Sequence, residues 1–330
     1  MNFPPPSSRQ PVREVWSRER LLHERNIALG SVLEPSSLSS YTSAVQSYVT
    51  FCRSHDFPID PTTDTLSFYI TYMCHFIKPK SVSSYLSGIC NQLEVFYPDI
   101  RRNCAHPIVK RTLKGCKKIH ISVASRKRPL QRTELTEVFD KLHSSSSFDD
   151  HLFLSLLFVG FFALMRLGEL VFPDKVDLQD FGKVVMRSSF SADDGHVEFN
   201  LPTHKADRTF KGNRILIKST GDKDDPVKIT QTYVRERDRR FPALPHLWVR
   251  ADGSVPTRSW FLRRLRLYFN DNVAGHSLRS GGATWLASLG VPVELIQAIG
   301  RWASESFKIY IRTHPVLLTA LLFSQQPSTS

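Results

Sequence analysis

The stretch GHSLRSGGATWLASLG, from Gly275 to Gly290, sets a histidine and an arginine three residues apart where a helix begins. At positions i and i+3, His276 and Arg279 project from one side of a helix, close to first-turn N–H groups that attract anions. Gly281 and Gly282 follow, and glycine lets another backbone or a ligand approach closely. The combination suits a phosphate pocket, although H-x-x-R alone is a common spacing that an ordinary exposed first turn also carries. No second His or Cys stands at ligand spacing from His276, which argues against zinc there. Upstream, Arg166 directly follows an apolar run from Leu152 to Met165 that only Ser155 and Gly160 interrupt. A guanidinium carried into a core must be paired or face an anion, and Glu169, one helical turn on, is the ordinary partner. Tyr310 lies eight residues after Trp302. With a pKa of about 10, a free tyrosine is only on the order of 0.1% ionised at neutral pH. It becomes a useful nucleophile when cations and a base assist it, and Arg166, Arg279 and His276 are residues of those types. Standing alone, Tyr310 would read as a half-buried packing residue.

These residues need a scaffold, and composition bounds it. The chain has 330 residues, 41% of them hydrophobic, enough for two cores of ordinary size. Its 44 Lys and Arg exceed its 31 Asp and Glu, leaving +13, which favours a polyanionic partner through attraction and counterion release. Eleven of the basic residues fall between Arg101 and Arg132, a segment with no Asp or Glu. Solvated helix faces usually mix signs, so this single-signed run, with Lys110, Arg111, Lys114, Lys117, Lys118, Arg126, Lys127 and Arg128 at its centre, is expected to bind the phosphate backbone. No stretch has the roughly 20 apolar residues of a spanning helix, and the start MNFPPPSSRQPV lacks the apolar segment of a secretory signal. A soluble, intracellular protein is expected. Cys52, Cys74, Cys90, Cys104 and Cys116 are odd in number and show no C-x-x-C pair, so they are expected to be reduced core thiols. No phosphate-binding G-x-x-x-x-G-K-[ST], dinucleotide G-x-G-x-x-G or carboxylate cluster for paired magnesium ions is present, and no cofactor is expected.

Periodicity supplies the elements. Residues 1–15 are rich in Pro and Ser and read as a mobile tail. Helical spacing recurs at Tyr41, Val45, Tyr48, Val49 and Cys52, at Leu66, Tyr69, Ile70 and Met73, and at Val82, Tyr85, Leu86, Ile89, Leu93 and Phe96 before Pro98; a further helix begins near Pro107. Residues 16–120 thus form a small all-α domain, and residues 121–132 a basic linker. In residues 133–330, the apolar run ending at Met165 predicts a buried central helix. KVVMRSSF, HVEFNLPTHKA and NRILIKS, separated by ADDG and FKGN, predict a small antiparallel sheet. Helices resume from Trp260, with a break at Gly290 and a restart at Pro292.

The order Arg in ALMRLGEL, Lys in a hairpin, HSLR, GRW and then Tyr resembles the tyrosine recombinase (phage integrase) family. LPTHKADRTFKGNRILI and GRWASESFKIYIR further resemble recombinases of eukaryotic mobile elements of the Crypton and DIRS-like kinds. The resemblance covers most of the chain. It implies a two-domain fold: an all-α, SAM-like core-binding domain, then a mainly α catalytic domain with a small antiparallel sheet, the DNA breaking-rejoining fold. Carried over position by position, it makes Arg166 and Arg279 the arginines that grip the scissile phosphate. Lys205 becomes the general acid, with Arg208 and Lys211 as competing candidates; His276 the base or phosphate ligand; Trp302 the His/Trp position; and Tyr310 the nucleophile that forms a 3′-phosphotyrosyl bond. The eight-residue gap from Trp302 is one shorter than in many bacterial members. The resemblance implies duplex DNA as partner, a nuclear site of action with SRKR as a weak import signal, and assembly to a dimer or tetramer through the apolar tail segment VLLTALLF, which could equally pack on its own domain.

Three other readings compete. SGGATWLASLGVPVELIQAIGRW has the small residue, central glycine and second helix of a helix-turn-helix, in which Arg301 would reach bases and catalysis would be lost. A type IB topoisomerase would keep the chemistry without strand exchange. A basic structural or membrane-surface protein would leave the motif order a coincidence.

Overall fold

The computed structural model describes residues 13–30, 32–120, 127–202, 212–270 and 272–302. The chain divides into two compact units, Met1–Ala124 and Ser125–Ser330.

The first unit is helical: α1 (Arg18–Gly30), α2 (Pro35–Ser54), α3 (Thr63–Cys74), α4 (Pro79–Leu93), α5 (Ile100–Ala105) and α6 (Pro107–Ile119). Proline occupies the first turn of α2, α4 and α6, where its missing N–H would have no intrahelical partner anyway. Thr62 caps α3 by accepting from the Thr65 N–H at 3.2 Å. One core joins Tyr48, Leu66, Tyr69, Ile70, Val82, Ile89 and Val109. Its cysteines are free thiols, four of them buried and Cys104 half-buried against Cys90. Two expectations are corrected. The α4 face closes at Leu93, leaving Phe96 exposed, because the chain has already turned out of the helix toward Pro98. The short α5 lies between two proline-started elements where no helix was expected.

The second unit holds α7 (Arg132–Leu142), α8 (Phe148–Phe162), the one-turn α9 (Leu167–Leu170), strands β1 (Ser191–Ala192), β2 (His196–Leu201) and β3 (Asn213–Lys218), then α10 (Pro226–Arg240), α11 (Arg258–Tyr268), α12 (Gly275–Ser288) and α13 (Val293–Gly300). Beyond a polar first turn of Asp149, Asp150 and His151, α8 is apolar on all sides and buried, packed among α7, α10 and α12. It stops at Phe162, earlier than the apolar run suggested, because Leu164 adopts a left-handed conformation (φ 49°) that turns the chain before Arg166. β2 and β3 pair antiparallel from His196 opposite Lys218 to Leu201 opposite Asn213, and β1 pairs with β2. Val197, Phe199, Leu201, Ile215 and Ile217 alternate inward onto the core.

KVVMRSSF is not a strand. Its Val185 carbonyl accepts from the Leu247 N–H at 2.9 Å, and the Arg187 side chain is drawn onto Asp238 at 2.7 Å, which folds the segment into turns. α10 was not anticipated, its charged VRERDRR end masking an inner face of Val227, Ile229, Tyr233 and Val234; Asp225 caps it and Pro226 starts it. Gly290 is left-handed (φ 77°), as its place after α12 suggested, and Pro292 stands immediately before α13. No described helix is long and apolar enough to cross a membrane.

Candidate active site and nucleic-acid interface

Four short pieces of the second unit build the candidate site: the turn after α8, the start of α9, the first turns of α12 and the end of α13. Arg166 is the residue before α9. Its own N–H donates to Glu169 Oε2 at 2.9 Å and its Nη1 to Glu169 Oε1 at 2.8 Å. The ordinary partner named from the sequence is therefore in place, yet the Arg166 side chain keeps 29% of its surface open.

Arg279 lies deeper, at 1% exposure. Its Nη1 donates to the Leu164 carbonyl at 2.6 Å and its Nη2 to the Gly300 carbonyl, so one guanidinium binds the chain ends that follow α8 and α13. The Trp302 ring stacks on it, 4.0 Å from guanidinium carbon to ring centre. Glycine is required at 300, since a Cβ there would overlap the Trp302 ring. Gly281 and Gly282 admit backbone and not a ligand: a Cβ would overlap the Leu130 carbonyl oxygen at the first and the Phe161 carbonyl oxygen at the second. These contacts seat α12 against the segment before α7 and against α8, and they fix where Arg279 and His276 begin.

His276 is exposed at its surface. Desolvation by the protein around the ring, then the charge of Arg279, then that of Arg166, hold its pKa below the ordinary imidazole value. The Leu164 carbonyl that Arg279 binds lies two residues before Arg166, so the turn after α8 and the first turns of α12 bring these residues together. A histidine so placed is neutral at neutral pH and can accept a proton. Lys205, its competitors Arg208 and Lys211, and Tyr310 lie outside the described residues; β2 and β3 end on either side of the segment that carries Lys205.

The helix-turn-helix reading of α12 and α13 is corrected at Arg301. Its side chain is 6% exposed and its Nη2 donates to Glu169 Oε2 at 3.1 Å, so it points into the protein and cannot reach bases. The sequence offered no cue for this pairing, since 132 residues separate the partners.

In the first unit, α6 presents Lys110, Arg111, Lys114, Lys117 and Lys118 on its exposed side and buries Val109 and Cys116 on the other. None of the five basic residues forms an ion pair among the described residues. Other members of the basic run do find carboxylates. Arg101 pairs with Glu94 at 2.5 Å, Arg128 forks onto Glu134 at 2.6 and 2.8 Å, and Arg132 forks onto Asp224 at 2.5 and 2.6 Å. Arg128, expected to contact DNA, thus has its charge balanced inside its own unit. Arg132 is the first residue of α7 and no part of a linker's free charge. Lys127 is described, whereas Arg126 is outside the described residues. A second basic surface lies on α11, where Arg258 and Arg263 are exposed, while its Trp260, Phe261 and Leu265 are buried and Arg264 is held by Asp150 at 2.5 Å. The cue was present in RSWFLRRLRLY, arginines interleaved with apolar residues, but not which arginines a carboxylate would claim.

No family model matches the chain, and no curated protein matches it. Solved structures do. A XerH site-specific recombinase bound to a palindromic difH substrate, in a post-cleavage complex, is similar with a TM-score of 0.60 at 15% identity, covering 86% of this chain and 78% of that one. The integrase of the Tn1549 transposon, in complex with transposon right-end DNA, gives 0.56 at 12% identity over 94% of this chain and 99% of that one. A lambda integrase dimer bound to a COC′ core site gives 0.51 at 14% identity over 89% and 76%. At these identities the likeness is one of fold: two units, the first helical and the second mainly helical with a small antiparallel sheet.

Proposed function

We propose that this chain is a tyrosine-type site-specific DNA recombinase, which cuts and rejoins duplex DNA through a 3′-phosphotyrosyl intermediate. The observation that carries the reading is the convergence of Arg166, of His276 and Arg279 on α12, and of Trp302, three separate stretches of chain, in a fold similar to that of recombinases. In this reading Arg166 and Arg279 bind the non-bridging oxygens of one phosphate, where charge builds as phosphorus becomes pentacovalent. Tyr310 attacks phosphorus as His276 accepts its proton, the P–O5′ bond breaks, and Lys205 delivers a proton to the departing 5′-oxygen. A 5′-hydroxyl later reverses the sequence. Phosphodiester energy stays in the protein–DNA bond, so the cycle requires neither metal nor ATP. The basic face of α6 holds the DNA backbone. A eukaryotic mobile element as source, action in the nucleus, and assembly to a tetramer through the tail segment VLLTALLF complete the proposal.

Covalent trapping tests it. Labelled nicked duplexes from a random pool are incubated with the protein or its Tyr310→Phe variant in chelator, then denatured in detergent. A retarded band made only by the unsubstituted protein is the expected result. Duplex binding by both proteins with no such band would replace this reading with that of a non-catalytic DNA-binding protein.

A further inference from the structure

The Glu169 carboxylate is claimed twice. Oε1 accepts from Arg166 Nη1, while Oε2 accepts from the Arg166 N–H and from Arg301 Nη2, the latter at 3.1 Å. Glu169 and Arg301 are each 6% exposed, whereas Arg166 remains 29% exposed. Burial alone would raise the Glu169 pKa, but Arg301, followed by the Arg166 N–H and side chain, outweighs it and holds the carboxyl below its ordinary value, so it is a carboxylate at neutral pH.

Arg301 carries two costs. Its backbone is left-handed (φ 54°), a region that side-chain-bearing residues rarely adopt. Its Nε is buried with no acceptor among the described residues. Arg237, equally deep, shows the alternative: its Nε donates to the His246 carbonyl at 3.2 Å and its Nη atoms to carbonyls and to Asp238. Arg301 Nη1 does donate to the Ile299 carbonyl at 3.0 Å and to the Ala163 carbonyl at 3.4 Å, which helps close α13 and the turn after α8, but neither bond requires a partner on α9.

Charge counting indicates what the costs sustain. Arg166 and Glu169 alone sum to zero, and a neutralised guanidinium is a poor phosphate ligand. With Arg301 on the same carboxylate the trio carries a net positive charge, and its one partly exposed cation is Arg166. We propose that Arg301 is a positioning residue: by sharing Glu169 it leaves the Arg166 guanidinium oriented but not neutralised, ready for a DNA phosphate. This rests on the reading of the site as a phosphate-binding centre.

A two-residue cycle tests it in the full-length chain, with affinity for a random-sequence duplex at fixed salt as the primary readout and nicked-duplex trapping as the second. Arg301→Gln should weaken duplex binding about 10- to 100-fold, the contribution of a charge-assisted contact, and reduce trapping at least as much. Adding Glu169→Gln restores the net charge and should return binding to within about threefold of the parent. A merely structural Arg301 gives a different pattern, with the loss persisting or growing in the double variant; that result, or unchanged binding in Arg301→Gln, overturns the proposal. Should thermal melting show Arg301→Gln unfolded, the double variant against the parent carries the test, with Arg301→Lys as the charge-preserving control expected to keep binding. If the parent binds duplex but traps none, the strand-cutting reading fails while the binding cycle still decides the role of Arg301.

Discussion

The basic face of α6 and the arginine cluster around Glu169 are both positive, and they hold their charge in opposite ways. On α6, Lys110, Arg111, Lys114, Lys117 and Lys118 stand exposed without ion pairs among the described residues, on a helix seated by Val109, Leu113 and Cys116. In the second unit, Arg279 and Arg301 are buried, bonded to carbonyls and a carboxylate, and Arg166 alone is partly open. A mobile, solvated cation attracts any polyanion and is screened by salt. A fixed, desolvated one acts on a single phosphate at a set position, because its orientation is settled before the ligand arrives. On the proposed function, the difference separates holding DNA from acting on it.

Substitutions can break that comparison, beginning with the strongest. Arg279→Ala should abolish covalent trapping, by about 10²- to 10³-fold or more. It should also destabilise the fold by roughly 2–4 kcal/mol, since it removes the donor that the Leu164 and Gly300 carbonyls share and the guanidinium that stacks on the Trp302 ring. Trapping and denaturant melts read the two effects; a stable, active variant would show that burial of this arginine serves nothing.

Arg132→Ala probes a member of the basic run that the fold has neutralised. Its loss strands Asp224, whose side chain is 3% exposed, and should cost about 3–5 kcal/mol while leaving the salt dependence of DNA binding unchanged. Burial raises the Asp224 pKa, but Arg132 and Thr136 more than offset this and depress it. A depressed folded value means the pair's contribution is fully present above the unfolded carboxyl pKa of about 3.9. It is lost as pH falls through the folded value, so the stability gap between parent and variant should narrow in acid.

The smallest effects belong to α6. Each single Lys→Gln change among Lys110, Lys114, Lys117 and Lys118 should alter stability by less than about 0.5 kcal/mol. Each should lower the slope of log K against log salt by about 0.9 where the residue meets a phosphate. A slope unchanged by all four together would remove α6 from the DNA interface.

What the sequence determined by itself follows from local rules. Pro107 at the start of α6, the left-handed Gly290 after α12, the apolar body of α8 and the single-signed charge of α6 are all set by neighbours within a few residues, so spacing reveals them. The same holds for His276 with Arg279, three residues apart, and for Arg166 with Glu169. Locality also explains the misreadings. KVVMRSSF alternates like a strand until Asp238 and Leu247 capture it, and VRERDRR looks solvated until α8 covers its inner side. The basic run contains no acid of its own, yet Glu94, Glu134 and Asp224 reach Arg101, Arg128 and Arg132 from outside it. Only the tertiary structure decided which cations stay available, because pairing depends on distance in space and on desolvation, and neither is written in spacing. Arg301 is the sharpest instance: beside Trp302 in the chain it could pass for a base-reading arginine, and folding turned it inward to a carboxylate 132 residues away.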